Sequence, residues 1–435
     1  MKFIADLHIH SRFSMATART LDLEHLHIWA QLKGITVVGT GDITHPGWFA
    51  EIVKKLVPAE PGLFRLKDSI ARNCDFLVPF SSRRPVRFIL SSEISCVYKK
   101  NGVTRKNHNL VFFPNLRTAA VFNKRLERIG NINADGRPVL SLDAKYLLEM
   151  VLESSEKAFL IPAHIWTPWF SLLGSNSGFD SVEECFEDLT AYIFALETGL
   201  SSDPPMNWRV SDLDKMTLVS NSDAHSPDKL GREANLFDTD LSFDSLRATI
   251  KSGDPDQFLG TFEFYPEEGK YYLDGHRKCS ICFKPSETNA IQGKCPVCGK
   301  SLTRGVLNRV EMLSDRPEGG APHRKPSFVR LVTLTDILSE LFQVGPNTKK
   351  VKKNYDAIIE KLGGEFAVLN DLPMNELDRA GISLLTEAIF RIRQEKIEII
   401  PGYDGQYGQI RIFSKQERQR LAGQRSVFAK PVHLQ

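Results

Sequence analysis

Short apolar runs recur along the first 260 residues, and each gives way to polar side chains of one chemical kind. Lys2-Phe3-Ile4-Ala5 leads into Asp6-Leu7-His8-Ile9-His10, and Ile35-Thr36-Val37-Val38 into Gly39-Thr40-Gly41-Asp42 and then His45. Val86-Arg87-Phe88-Ile89-Leu90 runs towards Glu93, Ala158–Ile161 towards His164, Tyr192–Leu196 towards Glu197, and Met216–Val219 towards Asp223-Ala224-His225. Such runs, bounded by turn residues, predict buried strands. Asp22–Lys33, Asp143–Glu153, Ser181–Leu189 and Ser242–Lys251 carry helical spacing between them, and Leu23, Leu26, Ala30 and Lys33 share one face of the first. Phe258–Tyr265 closes the series. Strand-helix alternation predicts an α/β fold with a parallel sheet and outer helices. In a closed βα barrel, the residues just past the strands' carboxyl ends would form the active-site rim. An open doubly wound sheet would also suit the pattern.

One segment departs from the alternation. Glu93–Val97 and Thr104–Phe112 flank Asn101-Gly102, a two-residue hairpin turn. Opposed residues then sum to 203, so Glu93 faces Leu110 and Ser95 faces His108. Glu93 and His108 become diagonal neighbours on one face, within reach of a common ion.

The candidates for metal chemistry are Asp6, His8, His10, Asp42, His45, Glu93, His108, His164, Asp223 and His225. His8 and His10, two apart, point to one side of an extended backbone. Imidazole and carboxylate suit zinc, manganese or iron. So many donors without cysteine suit a catalytic centre of more than one ion better than a closed structural site. His25, His27, His276, His323 and His433 lack such a setting and read as structural or solvated. Cys279-x2-Cys282, twelve residues, Cys295-x2-Cys298 reads as a four-thiolate structural zinc site.

Composition adds little: 435 residues, 42% hydrophobic, 25% charged, net charge +3, as in an ordinary globular protein. No run of ~18 apolar residues predicts a membrane span, and the first residues do not resemble a signal peptide. The paired cysteines point to an intracellular metal site. The charge is uneven. Lys300–Lys353 holds 11 Lys/Arg against 5 Asp/Glu, an excess of 6 that leaves the remainder at −3. Lys349-Lys350-Val351-Lys352-Lys353 opens a predicted helix, Val329–Phe342 and Leu384–Lys396 read as two more, and Arg418, Arg420, Arg425 and Lys430 follow. A basic stripe with aromatics suits a phosphate backbone.

The ordered set Asp6-Leu7-His8-Ile9-His10, Asp42, Glu93, His108, His164 and Asp223-Ala224-His225 resembles the PHP (polymerase and histidinol phosphatase) superfamily. That resemblance implies a distorted (β/α)7 barrel with a trinuclear site for phosphoester hydrolysis. It departs at Ser14 and Met15, where many members carry another histidine, and at Thr40-Gly41-Asp42, where many read Thr-Asp-His. By this likeness Asp42 is a ligand, His45 a lesser candidate, and Asp6 either orients a histidine or bridges ions. Together with the cysteine module and Ile399-Ile400-Pro401-Gly402-Tyr403-Asp404-Gly405-Gln406-Tyr407-Gly408, nearly the whole chain is similar to the endonuclease Q family. The implied division is a PHP barrel over 1–265, a zinc module over 266–315 and a basic, mainly helical DNA-binding domain over 316–435.

The implied activity is a DNA repair endonuclease cutting 5′ to deoxyuridine, deoxyinosine, deoxyxanthosine and abasic sites. It would use two or three divalent ions (zinc, magnesium or manganese) besides the structural zinc. Its substrate would be damaged duplex DNA in a prokaryotic cytoplasm, at the nucleoid, with a sliding clamp as a candidate second partner. His8, His10, Asp223 and His225 would form the catalytic core. An extruded base must be held once unstacked; Trp166, Trp169 and Phe170 beside His164 are candidates, and Arg83 and Arg84 candidate phosphate contacts. Two rivals are a PHP phosphatase of small phosphomonoesters, needing neither zinc module nor basic tail, and a non-catalytic DNA-binding module.

Overall fold

The computed structural model describes residues 1–323, 326–418 and 420. Arg425, Lys430 and His433 lie outside them.

The fold is mixed α/β. Its main sheet runs in the order Phe328–Arg330, Phe258–Glu263, Ala234–Asp238, Lys2–Asp6, Val37–Gly39, Arg87–Lys100, Phe64–Leu66, Leu56–Pro58. Val103–Phe113 branches from Arg87–Lys100 and carries Phe159–Pro162 on its far side, while Ala195–Glu197 and Thr217–Val219 form a separate parallel pair. The expected parallel sheet is therefore only partly parallel. Lys2–Asp6 lies parallel to Val37–Gly39 but antiparallel to Ala234–Asp238, a strand whose residues carry no strand-like run of their own. Ladder pairing does not close into a ring among the described residues.

Side-chain alternation nonetheless gives the strands two faces. Phe3, Ala5, Leu7, Val37, Ile89, Leu110, Phe112, Phe159, Ile161, Ala195, Val219, Phe237 and Phe258 meet in one inner core. Their neighbours Val38, Phe88, Leu90, Val111, Phe113 and Leu160 join the outer core under the helices. Helix Phe243–Ser252 adds Phe243, Leu246 and Ile250 to the inner core. Local chemistry sets the helix ends. Asp22 caps helix Leu23–Lys33 by accepting from His25 N–H, and Gly34, at φ +99, stops it.

The hairpin is in the expected register, with Glu93 opposite Leu110 and Ser95 opposite His108. Asn101 and Gly102, at φ +51 and +77, occupy its tip. The predicted helix over Val329–Phe342 splits: Phe328–Arg330 is a strand beside Phe258–Glu263, and helix Leu334–Phe342 starts after Thr333, whose hydroxyl accepts from Asp336 N–H.

The C-terminal part is keyed into this sheet. Lys33 Nζ lies 2.7 Å from Glu365 Oε2, the two side chains 2% and 4% exposed. Tyr355 O–H donates to the same oxygen and Leu334 N–H to the other. Phe366 packs on Phe262 with ring centroids 4.7 Å apart.

Buried acids lie at the end of strand Phe258–Glu263. Burial raises the Glu263 carboxyl from 4.5 to about 8. Burial, and then Glu263 itself, push Glu233 well above its ordinary value. The folded state therefore keeps a proton that the unfolded chain releases, and stability falls as pH rises from 4.5 to about 8. We expect Glu263→Gln to flatten this dependence by on the order of a few kcal/mol, read from denaturant midpoints across pH.

Candidate metal centre

The inner-core strands bring their polar successors to one rim. His8 and His10 follow Lys2–Asp6, Asp42 follows Val37–Gly39, His164 follows Phe159–Pro162, and Asp223 follows Thr217–Val219. Glu93 lies beyond Ile89, where the ladder to Val37–Gly39 ends. Asp42, His164 and Asp223 all have left-handed φ, at +46, +30 and +47. Three non-glycine residues in this costly region, all at one rim, mark where the chain turns its side chains back over the sheet.

Two donor groups result: His8, His10, Glu93 and Asp223, and Glu93, His108 and His164, with the atoms of each group within 4.8 Å of one another. Glu93 is common to both. Its Oε2 lies 3.7 Å from His8 Nε2 and 3.4 Å from His10 Nε2. Its Oε1 lies 2.8 Å from His108 Nδ1 and 3.0 Å from His164 Nε2. One carboxylate thus faces both groups with a different oxygen, as a bridging ligand does. Asp223 Oδ1 is 2.9 Å from His10 Nε2 and 3.6 Å from His8 Nε2.

The imidazoles are aimed from behind. Glu197 meets His8 Nδ1 at 3.0 Å, accepts from His164 N–H at 2.8 Å, and takes Asn221 Nδ2–H at 2.8 Å. Asn221 Oδ1 in turn accepts from Leu7 N–H. His8 Nε2 is buried and has no hydrogen-bond partner, so its lone pair is free to face an ion. Asp42 performs the same service for His10, meeting Nδ1 at 3.1 Å while its other oxygen accepts from Ser11 N–H, Ser11 Oγ–H and Ser14 Oγ–H. A carboxylate so fully engaged orients a histidine, and the structure does not place Asp42 in either donor group. Gly136 closes over it, since a Cβ there would strike the Asp42 carboxylate and Ser14.

Electrostatics follow from crowding charge into a buried rim. Burial works against charging His8, but Glu197, Glu93 and Asp223 more than offset it and raise its pKa well above the ordinary value. Burial lowers His108 to about 4. It also acts to raise Glu93, yet His108, His8 and Arg137 hold that carboxyl well below the usual range. Arg137, half-buried, lies 3.1 Å from Glu93 Oε2.

Several sequence candidates have other tasks. Asp6 accepts from Ser222 N–H and Gly231 N–H, so it ties the rim loop rather than orienting a histidine or bridging ions. His45 caps helix Pro46–Lys55. His225 stands at the edge, its ring 4.6 Å from that of His10. Trp166 is fully buried and donates to Asn207 at 2.7 Å, which rules out stacking on a base. Phe170 packs on His108 at 5.0 Å. Trp169 is exposed, edge-on to Tyr271 at 5.3 Å. Arg84 donates to Gly34 O, at the amino ends of the strands and away from the rim; Arg83, its neighbour, bonds Val78 O. Glu197, Asn221 and Arg137 are the residues that sequence reasoning passed over. Glu197 obeys the strand-end rule and was open to it; Arg137 sits in an irregular loop without a signal.

A cleft of about 1100 Å³ opens beside this rim, lined by Thr167, Trp169, Arg232, Tyr271 and Tyr407 among others. Thr167 Oγ1 lies 3.3 Å from His164 Nδ1, and Arg232 donates to Ser222 O and Asp223 O. A mixed α/β sheet that gathers a shared carboxylate, four imidazoles and a second carboxylate beside an open cleft defines the class: a metal-dependent hydrolase.

Comparison with known proteins narrows it. Residues 333–396 match the family model for the MJ0043 C-terminal domain. The chain is 30% identical over 429 residues to YqxK of Bacillus subtilis (strain 168), covering 94% of this chain and 99% of that one. It is 35% identical over 255 residues to MJ0043 of Methanocaldococcus jannaschii, but spans only 31% of that protein's length. The crystal structure of the lesion-specific endonuclease PfuEndoQ from Pyrococcus furiosus superposes with a TM-score of 0.81 at 32% identity, over 94% of this chain and 95% of that one. An endonuclease Q complex with a 27-mer duplex carrying an abasic lesion at the active site gives 0.81 and 32% over 96% and 98%. The chain belongs to the endonuclease Q family. No helix among the described residues is long and apolar enough to cross a membrane.

Proposed function

We propose that this protein is a DNA repair endonuclease that hydrolyses the phosphodiester 5′ to deaminated bases (deoxyuridine, deoxyinosine, deoxyxanthosine) and to abasic sites in duplex DNA. The observation that carries the reading is the pair of donor groups sharing Glu93 beside an open cleft. We read the inner-core strands as a distorted PHP barrel, and the centre as holding two divalent ions (zinc, magnesium or manganese). Bound there, such ions supply a water of lowered pKa and positive charge over the non-bridging phosphate oxygens.

The chain's own residues do the rest. Glu197 and Asp42 hold His8 and His10 by Nδ1, so each ring presents Nε2 inward. Glu93 keeps the two donor groups at one spacing. The Arg137 guanidinium, on Glu93 and reaching the solvent side, is placed to take a phosphate oxygen. Trp169, exposed, and Tyr271, half-buried, offer aromatic side chains along the cleft to an unstacked base.

The DNA backbone has a candidate partner in helix Lys349–Leu362, whose first turn holds Lys349, Lys350 and Lys352. Lysines at a helix amino end oppose the dipole, and an incoming phosphate relieves that repulsion. Such an enzyme would work in the prokaryotic cytoplasm, at the nucleoid.

A nicking assay tests the reading. End-labelled duplexes with one deoxyuridine, deoxyinosine or abasic site would be compared with an undamaged duplex under magnesium, manganese or zinc, and the cut mapped to the nucleotide. A lesion-dependent cut on the 5′ side is expected. Release of phosphate from small monoesters without any lesion-dependent nick would sink the proposal in favour of a phosphatase.

A further inference from the structure

The hairpin that delivers Glu93 and His108 continues beyond the metal centre, and its outer half carries charge that the centre does not use. Ser95 pairs with His108, Val97 with Lys106, and Lys99 with Thr104. Side chains alternate along a strand, so these pairs stand on the face that carries Glu93. From the rim towards the tip, that face presents His108, then Lys106, then Lys99.

The two faces treat their cations differently. On the far face Lys100 lies 2.7 Å from Glu187 and donates to Cys185 O at 3.1 Å. Arg105, on that face too, bonds Gly178 O and lies over the Phe179 ring, 4.2 Å from its centre. On the metal face Lys99 is exposed and Lys106 half-buried, and neither has an ion pair among the described residues.

Lys106 is nonetheless held. Its ammonium is 5.2 Å from the centre of the Phe170 ring, and that ring packs on His108 at 5.0 Å. Phe170 O accepts from His108 N–H and Ser177 O from Lys106 N–H, both at 3.1 Å, so the loop is pinned along the hairpin edge. Phe170 itself has a left-handed φ of +60, a costly conformation that turns its ring back onto the hairpin. The result is a cation on an aromatic shelf beside the metal centre, its apolar stem covered and no anion neutralising it.

The repeat suits a polyanion. Residues two apart on an antiparallel strand lie about 7 Å apart, which is also the step between successive phosphates of an extended DNA strand. With a phosphate at the level of His108, Lys106 stands one step out and Lys99 two. A small phosphomonoester would leave the second lysine unused.

We propose that the inner face of this hairpin is a track for the DNA backbone, on which Lys106 takes the phosphate next to the scissile one and Lys99 the phosphate after it on the same strand. The track rests on the endonuclease activity proposed above.

Multiple-turnover nicking of an abasic duplex at about 0.15 M salt tests it. Lys106→Met and Lys99→Met keep the aliphatic stem and remove the charge. Each should raise KM about fivefold, the counterion-release value of one phosphate contact at that salt, with kcat within about twofold. Lys106→Arg should stay within about twofold of native. So should Lys215→Met, which changes an exposed lysine just before strand Thr217–Val219, at the end away from the rim. Position is read with duplexes in which one phosphate is replaced by an uncharged methylphosphonate, at the first or second linkage on either side of the scissile one. Native KM should rise about fivefold at two neighbouring linkages on one side. The nearer replacement should cancel the effect of Lys106→Met and the farther that of Lys99→Met. Unchanged KM in both variants, no cancellation at any linkage, or cancellation in the reverse order overturns the track. A fall in kcat at unchanged KM in Lys106→Met also overturns it, since the lysine would then act on His108 through Phe170. Native protein that nicks no lesion duplex defeats the endonuclease reading and the track with it; native nicking with silent lysine variants defeats the track alone.

Discussion

Glu93→Gln is expected to lower lesion-dependent nicking by at least about 10³-fold and to strip metal from both donor groups. The scale follows from comparison with an outer residue. Changing a partner that merely orients a ligand costs about 10–100-fold in metal affinity or activity, and Asp42, hydrogen-bonded behind His10, is such a partner. Glu93 faces both groups directly, one oxygen to each. Its amide would keep the size but lose the charge that two neighbouring cations need between them. Asp42→Asn should therefore fall in the 10–100-fold range and Glu93→Gln well beyond it. Single-turnover rates on an abasic duplex, with metal content measured alongside, check both. A Glu93→Gln enzyme retaining more than a tenth of the rate would remove the shared carboxylate from the mechanism.

Lys33→Met is expected to cost about 3–5 kcal/mol of folding stability, because it leaves the buried Glu365 carboxylate without its cation. Tyr355 and Leu334 still donate to that carboxylate, but neither carries charge. The double change Lys33→Met with Glu365→Gln should recover part of the loss, since the amide oxygen can still accept and no net charge remains to be compensated. Denaturant midpoints of the three proteins and the native chain read this directly. A cost under about 1 kcal/mol for Lys33→Met would mean that the pair behaves as a surface ion pair.

The parts of this molecule readable from sequence are those fixed by local rules. Asn101-Gly102 sets a two-residue turn, the turn sets the register, and the register puts Glu93 beside His108. Histidines and carboxylates just past apolar runs gather at one rim because strands that share an inner core end together. Lys33 shares the apolar face of the first helix, but its partner Glu365 is supplied only by the fold. What stayed hidden depends on contacts between distant segments. Asp42 has a ligand's chemistry, and only the fold shows that Ser11, Ser14 and His10 already occupy it. Trp166 and Trp169 are three residues apart, and the direction of an irregular loop decides which is core and which is exposed. Ala234–Asp238 pairs antiparallel across the first strand with no alternation to announce it. His276 lies beside Cys279, Cys295 and Cys298, a neighbourhood that the spacing of the cysteines alone does not show.

Strand Phe328–Arg330 has an implication for how such a chain can be divided or recombined. It lies parallel to Phe258–Glu263 as the last strand of the main sheet, although about 60 residues and the whole cysteine-bearing module separate the two in sequence. Cutting the gene after codon 265 would bare an edge strand, strand Lys33 in an apolar surface and uncover Phe262 at once. Loss of activity in such a fragment would report misfolding, not a requirement for DNA contacts. The working unit for gene shuffling, fusion or split-protein reporters is the sheet with its late-arriving strand, and the exposed hairpin tip at Asn101-Gly102, where a Cβ on Gly102 would meet nothing within 4 Å, is the better place to open the chain.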